Sequence, residues 1–168
     1  MQQGADVTIG CLEVPRMEAT AFGVMHVDAE DRLIDFLEKP ADPPGIPDRP
    51  DMALASMGIY VFNRQVLIDV LGNNHDDFGK HIIPASLQEY KVFAYIFQGY
   101  WEDIGTIEAF YDANLALTQQ PQPPFSFYDE KYPIYTRGRS LPPTKLQNCT
   151  ITDAMIGDGC IIKSCQIH

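Results

Sequence analysis

Val7, Ile9 and Cys11 alternate with Thr8, Gly10 and Leu12, and this period of two predicts a strand that begins almost at the first residue. Two further apolar stretches, 22–27 and 32–38, flank the polar turn Asp28-Ala29-Glu30-Asp31, which is the spacing of a β-hairpin. The segment 41–50 carries four prolines and a glycine, which remove backbone donors and fix extended geometry, so a surface loop is expected. Residues 54–62 are apolar on both alternating sets apart from Ser56 and Gly58. That pattern predicts a strand covered on both faces, with Gly58 permitting a close approach.

Helical spacing begins after Asn63, where Val66, Leu67, Val70 and Leu71 share a face and Gly72 stands just past the end. Residues 78–90 suit a second helix, interrupted or started late by Pro84, whose ring costs about 3 kcal/mol in a regular helix interior. The apolar run 92–97 then predicts a central strand. Thr106 is placed to cap a helix over 107–117, with Ile107, Phe110, Tyr111 and Leu115 on one face. From 119 to 143 prolines separate aromatic residues, the composition of a linker. Beyond it Ile151, Ile156, Ile162 and Ile167 recur at five or six residues around Gly157 and Gly159, the hexapeptide pattern of a left-handed parallel β-helix, with length for about one coil. The expected domains are 1–118, a linker over 119–146, and the β-helix start over 147–168.

Composition narrows the chemistry. The chain has 168 residues, 45% hydrophobic and 21% charged, which suits a folded globular domain. Its formal charge of -11 repels polyanions, so nucleic acid is not an expected partner, although one placed cation can still hold a small anion. No apolar run approaches the roughly 18 to 20 residues of a membrane span, and no signal pattern opens the chain, so a soluble cytoplasmic protein without a membrane partner is expected. The four cysteines, Cys11, Cys149, Cys160 and Cys165, form no CxxC pair and read as buried thiols in preference to a metal site or a disulfide.

Three places are candidates for chemistry. Glu38 and Lys39 end a strand before Pro40: Lys39 is suited to a phosphate and Glu38 to sugar hydroxyls, and the alternative is an exposed ion pair. Asp103 follows a strand and precedes a capped helix, where α/β sheets place ligands. It is suited either to Mg2+ or to a turn. His75-Asp76-Asp77-Phe78-Gly79-Lys80 has no second ligand at metal spacing and reads as a turn leading into a helix. Walker, GxGxxG, HExxH and serine-elbow motifs are missing from the sequence.

Ala21-Phe22-Gly23-Val24-Met25, Phe36-Leu37-Glu38-Lys39-Pro40-Ala41, Ala55-Ser56-Met57-Gly58-Ile59-Tyr60-Val61-Phe62, Asp77-Phe78-Gly79-Lys80, Tyr100-Trp101-Glu102-Asp103-Ile104-Gly105-Thr106 and Leu141-Pro142-Pro143-Thr144-Lys145 occur in that order. Together they resemble glucose-1-phosphate adenylyltransferase, also called ADP-glucose pyrophosphorylase. The resemblance implies an α/β fold: a Rossmann-like mixed-sheet nucleotidyltransferase domain followed by a left-handed parallel β-helix. It also implies transfer of the adenylyl group of ATP to α-D-glucose 1-phosphate, giving ADP-glucose and pyrophosphate for glycogen or starch synthesis. By the same resemblance Gly23, Glu38, Lys39 and Ser56 correspond to the glucose 1-phosphate site, with Lys39 at the phosphate and Glu38 and Ser56 at the sugar.

Asp103 corresponds in that family to a carboxylate holding Mg2+, and intact family members are tetramers. The family's glycine-rich ATP loop and a second magnesium aspartate are not in this sequence, so an internal fragment, inactive by itself, is expected. The alternative expectation is a non-catalytic interaction or sugar-phosphate-binding subunit that docks on a longer chain.

Overall fold

A computed structural model describes residues 4–119, 121–138 and 140–167, which divide into two compact units, 1–98 and 99–168. The predicted His168 end of the β-helix lies outside the described residues.

The first unit is built on a mixed five-stranded sheet. Its strands are β1 (Val7–Pro15), β2 (Gly23–Val27), β3 (Leu33–Glu38), β4 (Met52–Phe62) and β5 (Val92–Ile96), in the order β3-β2-β4-β1-β5. β1 pairs antiparallel with β4 and parallel with β5. The alternation in β1 puts Val7, Ile9 and Cys11 fully inside. The predicted hairpin is β2–β3, and Asp28 closes its turn by accepting from the backbone N–H of Glu30 and Arg32 at 3.1 and 2.9 Å.

Three expectations are corrected. β5 is an edge strand of the described sheet, although its apolar run reads as central. β4 is covered on both faces only over its first half: Ala53 joins a small cluster with Ala19 and Val24 while Leu54 joins the main core, but Ile59 and Val61 are 53% and 50% exposed. Gly58 is needed for conformation, not for close approach. Its φ is +70°, an added Cβ would meet nothing within 4 Å, and Met57 and Gly58 bulge out where the register jumps between Gly10–Ile59 and Cys11–Ser56.

Helix α1 (Arg64–Val70) follows β4. Asn63 precedes it but does not cap it through its side chain, whose amide instead donates to Ala5 O at 3.3 Å and ties the helix start to the chain entering β1. A π-helical turn, Phe78–Ile82, leads into α2 (Ile83–Ser86), where Pro84 occupies the first turn and removes only an N–H with no partner inside the helix. Ile83 and Val66 join the main core on the sheet, and Ile82 is buried beside Ile83 in sequence.

The second unit has α3 (Ile107–Ala116), the proline-rich segment, and four short strands. Thr106 caps α3 as predicted, its Oγ1 accepting from Ala109 N at 3.1 Å, but the helix buries none of its residues. Tyr100 stacks on Phe125 at 6.2 Å, which fastens the proline-rich segment. β6 (Lys145–Gln147) pairs in parallel with β8 (Ile161–Lys163), and β7 (Thr150–Ile151) with β9 (Gln166–Ile167). The isoleucine spacing predicts this β-helix pattern with length for about one coil, and the ladders start at Lys145 and stack the beginning of a second coil on the first.

Candidate functional site

Register places three of the candidate residues on neighbouring strands. Glu38 at the end of β3 pairs with Gly23 at the start of β2, and Val24 pairs with Ala55 on β4, one residue before Ser56. Glu38, Gly23 and Ser56 therefore lie in one row across three adjacent strands, at the end of β3, the start of β2 and midway along β4. Gly23 is required by its surroundings: a Cβ there would lie 2.6 Å from Phe36 Cζ and 3.0 Å from Glu38 Oε2. The absent side chain lets the Phe36 ring lie across β2 and the Glu38 carboxylate lean over it.

The far side of that carboxylate is closed by Gly79, where a Cβ would fall 2.6 Å from Glu38 Oε2. Gly79 sits in the π-helical turn, which is held by Asp77. The Asp77 Oδ1 accepts from Lys80 N at 2.8 Å and its Oδ2 faces Lys80 Nζ at 3.7 Å. The Lys80 backbone N–H, more than the ammonium, holds the Asp77 carboxyl below its usual range. Phe78 in the same turn stacks on Tyr60 at 5.5 Å.

Tyr60 connects these groups. Burial pushes its phenol up, a hydrogen bond with Ser56 opposes this, and the negative charges of Glu38 and then Asp77 push the same way as burial. One hydroxyl thus senses Ser56, Glu38 and Asp77 together. Gly79 as the neighbour of Glu38 was not found from the sequence, where 75–80 reads only as a turn. Asp77-Phe78-Gly79-Lys80 was visible as a motif, but no local spacing ties it to a residue about forty positions earlier.

Lys39 stands just past this row. It is a non-glycine residue at φ 50°, and its N–H donates to Phe22 O at 3.0 Å, which anchors the left-handed turn against the start of β2. Such backbone costs about 1 kcal/mol or more and persists where the surroundings impose it. Its ammonium is exposed, and among the described residues no carboxylate forms an ion pair with it. The ion pair with Glu38 that the sequence left open is not formed.

Asp103 belongs to the second unit, 99–168. Its Oδ1 accepts from Gly105 N at 3.0 Å, so it fills the turn role that the sequence allowed. Among the described residues no hydrogen bond to its Oδ2 is formed. Among the described residues no group of three or more His, Cys, Asp or Glu is gathered for a metal. Magnesium, however, is satisfied by one or two carboxylates with the rest of its shell from phosphate and water. The donor set of this chain fits that sparse mode and not an all-protein cage. Among the described residues no helix is long and apolar enough to cross a membrane.

Comparison with known proteins finds two family matches along the chain. A family model described as Nucleotidyl transferase matches residues 1–120, and one described as GLGC left-handed parallel beta-helix domain matches residues 139–168. Among solved structures, the chain is similar to HddC from Yersinia pseudotuberculosis, with a TM-score of 0.50 and 18% identity over 66% of this chain. It spans 43% of that protein's length, and at this identity the likeness concerns the fold.

Proposed function

Since the chain belongs to the nucleotidyl transferase family, we propose that it serves transfer of the adenylyl group of ATP to α-D-glucose 1-phosphate, giving ADP-glucose and pyrophosphate. The pairing of a nucleotidyl transferase match with a GLGC-type β-helix match supports this choice among sugar nucleotides. In this reading a phosphate oxygen of the sugar ester attacks the α-phosphorus of ATP and the bond to the β-phosphate breaks. Two polyanions must be brought together, so positioning and charge neutralisation matter more than a protein nucleophile.

The residues divide that work. Lys39 neutralises the sugar phosphate, its ammonium exposed and unpaired. Glu38 accepts from sugar hydroxyls, held between Gly23 and Gly79, and Ser56 donates from β4, on the other side of β2. Asp103 would hold Mg2+, which supplies charge neutralisation at the nucleotide phosphates when bound.

The observation that carries the reading is the row that Glu38, Gly23 and Ser56 form across three adjacent strands, with Lys39 in a strained turn beside it. Binding is the direct readout, because the chain spans 43% of its solved relative. Calorimetric titration of α-D-glucose 1-phosphate into the chain should show an affinity that Lys39→Ala lowers roughly tenfold or more, the worth of a charge-assisted hydrogen bond. Glu102→Ala should leave it nearly unchanged. Equal loss in the two variants would refute the assignment.

A further inference from the structure

Cys149 and Cys165 occupy the same corner of successive β-helix coils, 16 residues apart. Each follows a residue in left-handed backbone, Asn148 at φ 52° and Ser164 at φ 51°. Each is bracketed by the parallel pairs Gln147–Lys163 and Thr150–Gln166. Backbone hydrogen bonds from Ser164 N to Gln147 O (2.9 Å) and from Thr150 N to Cys165 O (3.1 Å) stack the two corners. The Cys165 thiol donates to the Cys149 sulfur at 3.8 Å. Both side chains are half-buried and both thiols are free.

Parallel neighbours in a ladder stand about 4.8 Å apart, inside the window of roughly 4.4–6.8 Å between Cα atoms that a disulfide spans. Side-chain rotation alone can bring the two sulfurs together. The remaining cysteines are placed differently: Cys11 is sealed in the sheet core, its thiol pushed up to about 12 chiefly by burial, and Cys160 is exposed.

We propose that Cys149 and Cys165 form a reversible disulfide, made by exchange with a small-molecule disulfide, that staples one β-helix coil to the next. Cys149 is the entering thiol because its sulfur accepts from the Cys165 thiol at 3.8 Å, which favours its thiolate. Burial raises its pKa, but hydrogen bonds that include this one hold it below its usual value, whereas burial raises that of Cys165. The Cys149 thiolate attacks one sulfur of the small disulfide and expels one thiolate. Cys165, having lost its proton to solvent, then attacks Cys149 Sγ in the mixed disulfide and expels the second. Two protein thiols are oxidised by two electrons, and the small disulfide is reduced to two thiols that take up the two protons.

The test incubates the 168-residue chain with mixtures of reduced and oxidised glutathione, quenches with acid, alkylates and maps peptides by mass. The expected result is one reversible link between Cys149 and Cys165, with Cys11 and Cys160 still alkylated. Cys149→Ser and Cys165→Ser should each abolish the link, and Cys160→Ser should leave it intact. The selectivity should disappear in denaturant, because the fold supplies the proximity. Four free thiols at full oxidation of the glutathione pool would overturn the proposal. So would links that favour Cys160, or a glutathione adduct on Cys149 that never resolves.

Discussion

The two units are stabilised in different ways. Among the described residues every side chain of the buried core, from Ala5 to Val92, lies in the first unit, where strands far apart in sequence close over one another. The second unit holds its shape through local devices: the Thr106 cap, the Asp103 turn, the Tyr100–Phe125 stack and two short parallel ladders. Candidate residues inherit this difference. Glu38, Gly23 and Ser56 are positioned by strand register, whereas Asp103 is positioned by a hydrogen bond two residues long.

The contrast can be broken most forcefully in the sheet. Ile9→Ala, at a fully buried position in β1, should cost about 2–5 kcal/mol in denaturant unfolding of the first unit. Leu146→Ala, at a side chain 52% exposed in β6, should cost under about 1 kcal/mol. Comparable losses would show that the second unit has a core as strong as the first. Gly79→Ala comes next. The atom that its methyl meets is the mobile end of Glu38, so the fold should survive while sugar-phosphate affinity falls roughly tenfold as the carboxylate is displaced. Unchanged affinity in calorimetry would detach Gly79 from the site.

Smaller effects should stay local. Thr106→Ala should remove about 1 kcal/mol of α3 stability, visible as lost helicity by circular dichroism, and leave sugar-phosphate binding intact. Acid tests the first unit's surface. The hydrogen bond from Arg49 lowers the Glu13 pKa from its ordinary 4.5, so the pair's contribution is fully present above that value and is lost as pH falls through the lowered one. Wild type and Glu13→Gln should therefore differ slightly in unfolding midpoint near neutrality and converge in acid. A gap that widened on acidification would reverse the sign.

Local features were legible in the sequence because one short segment contains all their parts. The Asp28 turn, the Thr106 cap, the Pro84 helix start and the isoleucine repeat each depend on neighbours within a few positions. Long-range features were not. An apolar run such as 92–97 looks the same at the centre or edge of a sheet, since exposure depends on which strand lies beside it. Asn63 has the chemistry of a cap, yet its amide is drawn to Ala5, a contact no window reveals. Glu38 and Lys39 were visible as an acid and a cation at a strand end before Pro40, whereas Gly23 and Ser56 were named through resemblance alone. That Gly79 closes on Glu38 required the fold, and so did the meeting of Cys149 with Cys165, whose separation equals the coil stagger.

The most direct measurement is an amide chemical-shift map of the isotopically labelled chain titrated with α-D-glucose 1-phosphate. The account predicts the largest shifts at Gly23, Glu38, Lys39 and Ser56, with a smaller response at Gly79, all removed by Lys39→Ala. Shifts concentrated elsewhere, or a map that Lys39→Ala leaves unaltered, would contradict it.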